Sequence, residues 1–144
     1  MSQSYVSITL RQQIITEFGG RYAYCHTPTA ITGARLVIDH IISEAKGGKT
    51  VPENLCLACH ACNEFKGAKI SAIDSLTGEE TPLFHPRKQN WRTHFRWHDD
   101  GSTIIGLTAV GRVTVATLNM NHAEIVEARQ RWVMVGWHPP KEDL

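Results

Sequence analysis

One stretch of the sequence groups several side chains that could act on a phosphodiester. Asp39 and His40 stand side by side, Asn54 follows after a loop with two glycines, and Asn63 comes directly after a Cys-x-x-Cys pair. Hydrolysis of a phosphodiester needs a cation that prefers oxygen ligands and a base that is neutral near pH 7. Residues 39–66 contain a candidate for each requirement.

The four cysteines indicate metal binding rather than a set of disulfides. Cys56, Cys59 and Cys62 are evenly spaced, and Cys25 lies upstream of them. The N-terminal residues 1–4 lack the charged and then apolar plan of a secretory signal. Without secretion the thiols stay reduced, and such spacing favours a metal site. We therefore expect a cytoplasmic protein.

Length and composition are typical of a soluble globular protein. The chain has 144 residues, of which 42% are hydrophobic and 20% are charged. No apolar run approaches the length that crosses a membrane, so no membrane partner is expected. The net charge is only +1, so attraction for a polyanion has to come from local clusters of charge.

A β-β-α unit is predicted to position the candidate side chains. Residues 35–42 are apolar and β-branched, as in a strand, and residues 55–57 would form a short return strand. The segment from Cys59 to about Ser75 would form a knuckle followed by a helix. Asp39 and His40 point to opposite faces of a regular strand, so a bend must end the strand for both to reach one site.

Further elements complete a predicted α+β fold. An N-terminal helix is capped by Ser7 and ended by Gly19-Gly20. In the C-terminal half, residues 103–118 alternate as in a β-hairpin, and Asn121 can cap a last helix over residues 123–135.

The character of the sequence changes near Leu76, but the segments on either side are small for independent folding. We therefore expect a single compact domain over residues 1–144. Within it, residues 20–70 would form the β-β-α core. Residues 77–144 would form a C-terminal extension.

That extension contains a basic and aromatic stretch with two interpretations. Its cations, with no acid between them, are Arg87, Lys88, Arg92 and Arg96. The aromatic residues that interleave with them are Trp91, Phe95 and Trp97. Such a mixture suits phosphate contacts together with aromatic packing or base stacking. The alternative is an amphipathic segment whose rings fill the core and whose arginines face water.

The pattern resembles the HNH endonucleases. Their scheme of Asp-His, then Asn, then Cys-x-x-Cys-Asn-x-x-Lys is matched by Asp39-His40, Asn54 and the segment from Cys59 to Lys66. The segment 83–97 also looks like the C-terminal extension of small stand-alone bacterial HNH proteins. The resemblance implies a ββα-metal core and a metal-dependent endonuclease that acts on DNA.

By position, the resemblance assigns a role to each candidate. Asp39 and Asn63 would hold one Mg²⁺ or Mn²⁺ against the phosphate, and His40 would be the general base. Asn54 would tie down the loop between the strands and help to orient His40. The candidates for contact with nucleic acid are Lys66, Arg87, Lys88, Arg92 and Arg96. For Lys66 the alternative is an ordinary solvated lysine on a helix face.

The resemblance also implies a structural zinc site, from which the chain departs. Family members with this zinc carry two Cys-x-x-Cys pairs, and the second pair here is Cys59 and Cys62. The first pair should lie at 22 and 25, but position 22 is Tyr22. Cys25 and the second pair do not fill a tetrahedral zinc site. Two residues could supply a fourth ligand: His26 or Cys56. The cysteines could instead pack without metal as small apolar side chains.

Three functions are compatible with these residues. The first is a metal-dependent DNA endonuclease, the second a nucleic-acid-binding module without catalysis, and the third a zinc-stabilised interaction domain. The first is favoured, because binding alone does not need a base beside metal ligands. We expect weak sequence specificity, and a homodimer would be one route to cleavage of both strands.

Overall fold

The computed structural model describes residues 5–34 and 36–144. It contains short helices and two-stranded antiparallel sheets, which confirms the predicted α+β class. The chain divides into two compact units, Met1–Ile70 and Ser71–Leu144, and each is described by itself. That the whole chain forms one domain stays a prediction.

Two predictions fall on positions outside the described residues. These are the missing secretory signal at residues 1–4 and the start of the first strand at residue 35. In the described ranges, no helix is long and apolar enough to cross a membrane.

The first unit is built around one β-hairpin. Its elements, in chain order, are α1 (Ile8–Glu17), α2 (Thr29–Thr32), β1 (Val37–His40), β2 (Leu55–Ala58) and α3 (His60–Lys66). The strands β1 and β2 are antiparallel, with Asp39 opposite Cys56 and His40 opposite Leu55. The strand that carries Asp39 and His40 therefore ends at His40, where the chain leaves the sheet.

The strand β2 forms the interior of this unit. All of its residues are fully buried, and Ile14 of α1 is buried as well. On the chain segment before α2, the amide of Ala23 donates to the carbonyl of Leu57 at 2.7 Å. Burial of a leucine side chain contributes about 1.5–3 kcal/mol to stability, so β2 is the support on which the site rests.

The ends of α1 agree with the prediction. The Ser7 hydroxyl accepts a hydrogen bond from the amide of Leu10 at 3.1 Å. The helix ends at Glu17, and Gly19 follows with a φ of 61°, which glycine adopts without steric cost.

The helix after the cysteine pair is shorter than predicted. The prediction of a knuckle and then a helix up to about residue 75 is wrong beyond Lys66, because Gly67 takes a φ of 54° and turns the chain away. The residues Ser71–Ile73 form a strand of the second unit instead.

The second unit combines two β-hairpins with helices. Its elements, in chain order, are β3 (Ser71–Ile73), β4 (Glu80–Pro82), α4 (Trp91–His94), β5 (Phe95–Trp97), β6 (Ile104–Gly106), α5 (Ala109–Thr117) and α6 (Ala123–Met134). The pairs β3–β4 and β5–β6 are antiparallel.

The predicted hairpin over residues 103–118 is wrong. Only β6 is a strand there, and it pairs with β5 rather than with residues that follow it. The chain turns helical at α5 because the Thr108 hydroxyl accepts from the amide of Gly111 at 3.1 Å, which caps the helix.

The cap of the last helix also differs from the prediction. His122 caps α6, with its Nδ1 accepting from the amide of Ile125 at 3.3 Å. Asn121 instead accepts from the amide of Ile104 at 2.8 Å and donates to the carbonyl of the same residue at 2.9 Å. It therefore fastens the chain before α6 to β6.

Candidate functional site

The imidazole of His40 is held from one side at the end of β1. Its Nε2 lies 2.8 Å from the Thr50 Oγ1 and 3.7 Å from the Glu44 Oε1. The side chain of His40 is 19% exposed. Within the described residues, Nδ1 has no hydrogen-bond partner. The ring thus has one nitrogen fixed by the loop and one without a hydrogen-bond partner in the part of the chain that the structure describes.

Asn54 fastens the loop between β1 and β2. Its Oδ1 accepts from the amide of Ile42, and its Nδ2 donates to the carbonyls of Ile42 and Lys49, all at 2.9 Å. The loop passes close to itself, since a Cβ on Gly48 would lie 1.7 Å from the Ile42 oxygen. Only glycine fits at that crossing, so the loop geometry depends on Gly48 and Asn54 together.

Asp39 lies inside the first unit and is paired with Lys66. The two residues are 5% and 1% exposed, and the Nζ of Lys66 lies 3.2 Å from the Asp39 Oδ2. The Tyr24 hydroxyl donates to the same oxygen at 2.9 Å. Burial raises the pKa of the Asp39 carboxyl, and the positive charge of Lys66 opposes that rise.

Lys66 also reaches the backbone beside the histidine. Its Nζ donates to the carbonyl of His40 at 2.9 Å, so the last residue of α3 is tied to the last residue of β1. The structure therefore places Lys66 in the interior, where it supports the strand end, and not on the surface where a phosphate would contact it.

The oxygen donors of Asp39 and Asn63 suit a hard divalent cation. Asn63 lies on α3, is half-buried, and its side chain has no hydrogen-bond partner among the described residues. Carboxylate and amide oxygens are ligands that Mg²⁺ and Mn²⁺ prefer. Both oxygens of Asp39 already accept from neighbours, so a bound cation shares this carboxylate with Lys66 and Tyr24. The oxygen donors of Asp39 and Asn63 fit Mg²⁺ or Mn²⁺, and the ammonium of Lys66 would compete with the cation for Asp39.

A thiol cluster stands at the start of α3. The sulfurs of Cys25, Cys59 and Cys62 lie within 4.8 Å of one another, and the Cys59 sulfur accepts from the amide of Cys62 at 3.3 Å. Hydrogen bonds from Cys59 and Cys62 lower the pKa of the Cys25 thiol well below its usual value. The hydrogen bond with Cys25 raises the pKa of Cys59 to about 12. Thiolates are zinc ligands, so the chemistry of the cluster fits that metal.

Among residues 5–34 and 36–144, the grouped metal-ligand atoms are the three sulfurs alone. No imidazole, carboxylate or further thiol lies within the same distance of all three, so neither His26 nor Cys56 belongs to the group in this structure. Cys56 lies elsewhere, with its sulfur 3.8 Å from the Asp39 Oδ2, and burial raises the pKa of its thiol. Tyr22 is buried, with its hydroxyl 3.2 Å from that of Thr32.

The basic and aromatic stretch of the second unit adopts the amphipathic arrangement. Trp91, Phe95 and Trp97 are 4%, 1% and 4% exposed, and their rings pack against one another. Burial leaves these rings no face on which a base could stack. Of the interleaved cations, Arg87 is half-buried and the others are exposed: Lys88, Arg92 and Arg96.

Two of these exposed cations have partners of their own. Arg92 donates to the carbonyl of Leu144 at 3.2 Å, and the Nη1 of Arg96 lies 3.8 Å from the Asp99 Oδ1. An exposed pair of this kind is worth roughly 0–1 kcal/mol, so it would yield readily to a phosphate.

The residues that face His40 are those that sequence reasoning missed. Thr50 and Glu44 lie in the loop that joins β1 to β2, and neither was singled out as a candidate. Both lie in the sequence between His40 and Asn54, and this position was the signal from which they could have been predicted. Tyr24 was missed because it lies far from Asp39 in the sequence.

Comparison with known proteins gives the family of the first unit. Residues 23–69 match the model of the family described as HNH endonuclease. The chain is also 33% identical over 91 residues to the CRISPR-associated endonuclease Cas9 of Corynebacterium diphtheriae. That similarity covers 58% of this chain and 8% of Cas9, so the chain spans a small fraction of its relative. No solved structure matches the chain. The chain thus carries an HNH endonuclease domain over residues 23–69, which confirms the predicted family.

Proposed function

We propose that this HNH domain is a metal-dependent endonuclease that hydrolyses phosphodiester bonds of DNA. One observation carries the proposal: the imidazole of His40, inside the matched segment, is fixed through Nε2, and its Nδ1 has no hydrogen-bond partner among the described residues. A nucleic-acid-binding module without catalysis needs no histidine held in this way. That module is the second candidate, and the experiment below separates the two.

In this mechanism His40 takes the proton from the attacking water molecule. General-base assistance of this kind is worth roughly 100- to 10,000-fold in rate. Asp39 and Asn63 would hold Mg²⁺ or Mn²⁺, and the bound ion supplies charge stabilisation at the leaving oxygen. Asn54 keeps the loop in place, and Lys66 holds the backbone at the His40 carbonyl.

Contacts with the DNA backbone would come from exposed cations. In the second unit, the residues that would contact the DNA backbone are Arg87 and three exposed cations: Lys88, Arg92 and Arg96. In the first unit Lys46 and Lys49 are exposed on the loop that holds the His40 ring. Such contacts do not read sequence, so we expect weak sequence specificity and binding that weakens as salt rises.

A structural zinc ion is the second metal in this proposal. It would be held by the thiolates of Cys25, Cys59 and Cys62, where it would fasten the segment before α2 to the start of α3. The closeness of the three sulfurs supports it.

The first test is cleavage of supercoiled plasmid with Mg²⁺ or Mn²⁺, with EDTA as the metal-free control. We expect relaxation by the intact chain and loss of most of that activity in His40→Ala. His60→Ala is the matched control, because His60 is a histidine of the same unit whose side chain is 77% exposed and pairs with Glu64 on the surface.

The outcomes separate the candidate functions. Relaxation that needs both the metal and His40 supports the endonuclease. Retained activity in His40→Ala would mean that the base is wrongly assigned. DNA binding by a folded protein without any relaxation would favour the non-catalytic module.

A further inference from the structure

We infer that Thr50 is a positioning residue that keeps the proton of His40 on Nε2, so that Nδ1 is the nitrogen that accepts the proton from water. The inference rests on the proposed function for the identity of the base. Its structural part, the location of the ring proton, can be tested without cleavage.

The two oxygens that face Nε2 decide which nitrogen carries the proton. The Thr50 Oγ1 lies 2.8 Å from Nε2, at hydrogen-bond distance, and the Glu44 Oε1 lies 3.7 Å from it. An ionised carboxylate can only accept a hydrogen bond, whereas a hydroxyl can donate or accept. An N–H on Nε2 satisfies both oxygens, whereas a lone pair there would face the negative charge of Glu44. The surroundings of Nε2 therefore favour the Nε2–H tautomer.

The position of the Thr50 hydroxyl follows from the framework of the loop. Asn54 donates to the carbonyl of Lys49 at 2.9 Å, which fixes the peptide that leads into Thr50. The same asparagine bonds both backbone groups of Ile42, two residues after His40. One side chain thus fixes both ends of the path between the histidine and its hydroxyl partner.

This arrangement explains how Asn54 can orient the histidine without touching it. The resemblance to the family implies that Asn54 helps to orient His40. Within residues 5–34 and 36–144, however, the Asn54 amide forms hydrogen bonds only with backbone groups of Ile42 and Lys49. Thr50 completes the connection, because its hydroxyl is the side-chain group within hydrogen-bond distance of the ring. Loss of the hydroxyl would leave the loop in place and release the ring.

The test compares Thr50→Val with Thr50→Ser. Valine keeps the shape of threonine and removes the hydroxyl, whereas serine keeps the hydroxyl. Thr16→Val is the matched control, because Thr16 is exposed on α1 of the same unit, and its hydroxyl bonds only the backbone of Gln12. Thermal unfolding of each variant checks that the unit still folds.

The first readout is the tautomer of His40, followed by two-bond ¹H–¹⁵N correlations in mildly alkaline buffer. We expect Nε2–H in the intact chain, in Thr50→Ser and in Thr16→Val. In Thr50→Val, where Glu44 still faces Nε2, we expect a larger share of the Nδ1–H tautomer than in the intact chain. A proton on Nδ1 in the intact chain would overturn the inference, whether or not the protein cleaves DNA.

The second readout is plasmid relaxation under single-turnover and steady-state conditions. Loss of a hydrogen-bond partner that orients a metal-binding histidine typically costs about 10- to 100-fold in activity, and a loss of that order is expected for His40. We expect such a fall in kcat for Thr50→Val with KM unchanged, and recovery in Thr50→Ser. An unchanged kcat in Thr50→Val would refute the positioning role. If the intact chain relaxes no plasmid, the proposed function fails, and the tautomer still decides the structural part.

Discussion

The ammonium of Lys66 and the carboxylate of Asp39 neutralise each other inside the first unit. Neither would be tolerated there alone, because a buried charge without a partner loses its hydration and gains nothing in return. The sequence did not predict this pair, since a lysine on a short helix is ordinarily solvated. Its burial follows from the approach of α3 to β1.

Lys66→Met should therefore destabilise the protein by about 3–5 kcal/mol, because it leaves the Asp39 charge buried and unpaired. Unfolding in urea measures the loss. Lys69→Met is the control, since Lys69 is exposed. Added Mg²⁺ should stabilise Lys66→Met more than the intact chain, because the ion no longer competes with the ammonium for Asp39. Equal stabilisation of both proteins would argue against Asp39 as a metal ligand.

At position 22, a single side chain determines whether the cluster of Cys25, Cys59 and Cys62 gains a fourth thiolate. It is separated from Cys25 by the same interval as Cys59 from Cys62. Tyr22→Cys should add a fourth thiolate to the cluster and tighten zinc binding, because structural zinc prefers four protein ligands.

Competition with a chromophoric chelator measures the affinity for zinc. The spectrum of the Co²⁺-substituted protein reports the number of sulfur ligands. Tyr22→Phe is the control that removes the hydroxyl without adding a ligand. An unchanged zinc affinity in Tyr22→Cys would show that position 22 does not face the metal.

At the scale of the elements, close backbone approaches decide the shape of the second unit. A Cβ on Gly111 would lie 2.0 Å from the His94 carbonyl oxygen, which places α5 directly against the end of α4. The same residue donates its amide to Thr108 at the start of the helix. The packing of α5 thus leaves no room for a methyl group at position 111.

Gly111→Ala should be strongly destabilising, although alanine is the better helix former. Relief of the clash requires the backbone of α5 or of His94 to move, and forced overpacking typically costs about 1–3 kcal/mol. Ala116→Gly on the exposed face of α5 is the control, with an expected loss of about 1 kcal/mol from helix propensity alone. Denaturant unfolding compares the two, and a stabilised Gly111→Ala would contradict the close approach.

Local signals predicted the elements whose cause lies within a few residues. Ser7 and Gly19 determine α1, and the continuous apolar run of β2 reflects its burial on all sides. The prediction of a hairpin over residues 103–118 was wrong although the apolar and polar residues do alternate there. The strand β6 pairs with β5, which precedes it in the chain, and not with residues that follow it. A cap at Thr108 and a contact with His94 outweighed that alternation.

In the candidate site, too, some features could be predicted from the sequence and others depend on distant parts of the chain. The positions of Thr50 and Glu44 beside His40 could not be predicted from the sequence, because their approach depends on the path of a loop. That path is fixed by Asn54 and by the crossing at Gly48. The grouping of Cys25 with the later cysteines came from the family pattern, and the missing fourth ligand was visible at position 22.

At the scale of the whole molecule, the response to acid depends on buried carboxylates. Asp74 is buried, and Arg112 donates to its two oxygens at 3.0 and 2.9 Å. These hydrogen bonds lower the pKa of the Asp74 carboxyl well below its ordinary value of 3.8. Because the folded-state pKa is the lower one, the pair stabilises the protein above the ordinary value. That stabilisation is lost as the pH falls from there toward the folded-state value.

Arg112→Met should flatten the acid side of the stability profile. Between about pH 5 and pH 2 the unfolding midpoint of the intact chain should fall more steeply than that of the variant. Arg131→Met is the control, because Arg131 pairs with Glu127 on the surface. Parallel profiles for the intact chain and Arg112→Met would show that the pair does not govern acid sensitivity.

The hydrogen bond from Lys66 to the carbonyl of His40 has a consequence for folding during synthesis of the chain. The histidine leaves the ribosome well before the lysine that closes the strand end around it. A nascent or truncated chain that stops short of Lys66 lacks this hydrogen bond, so the end of β1 is not tied to α3. The end of β1 therefore reaches its final arrangement only after α3 has been made and has packed against it.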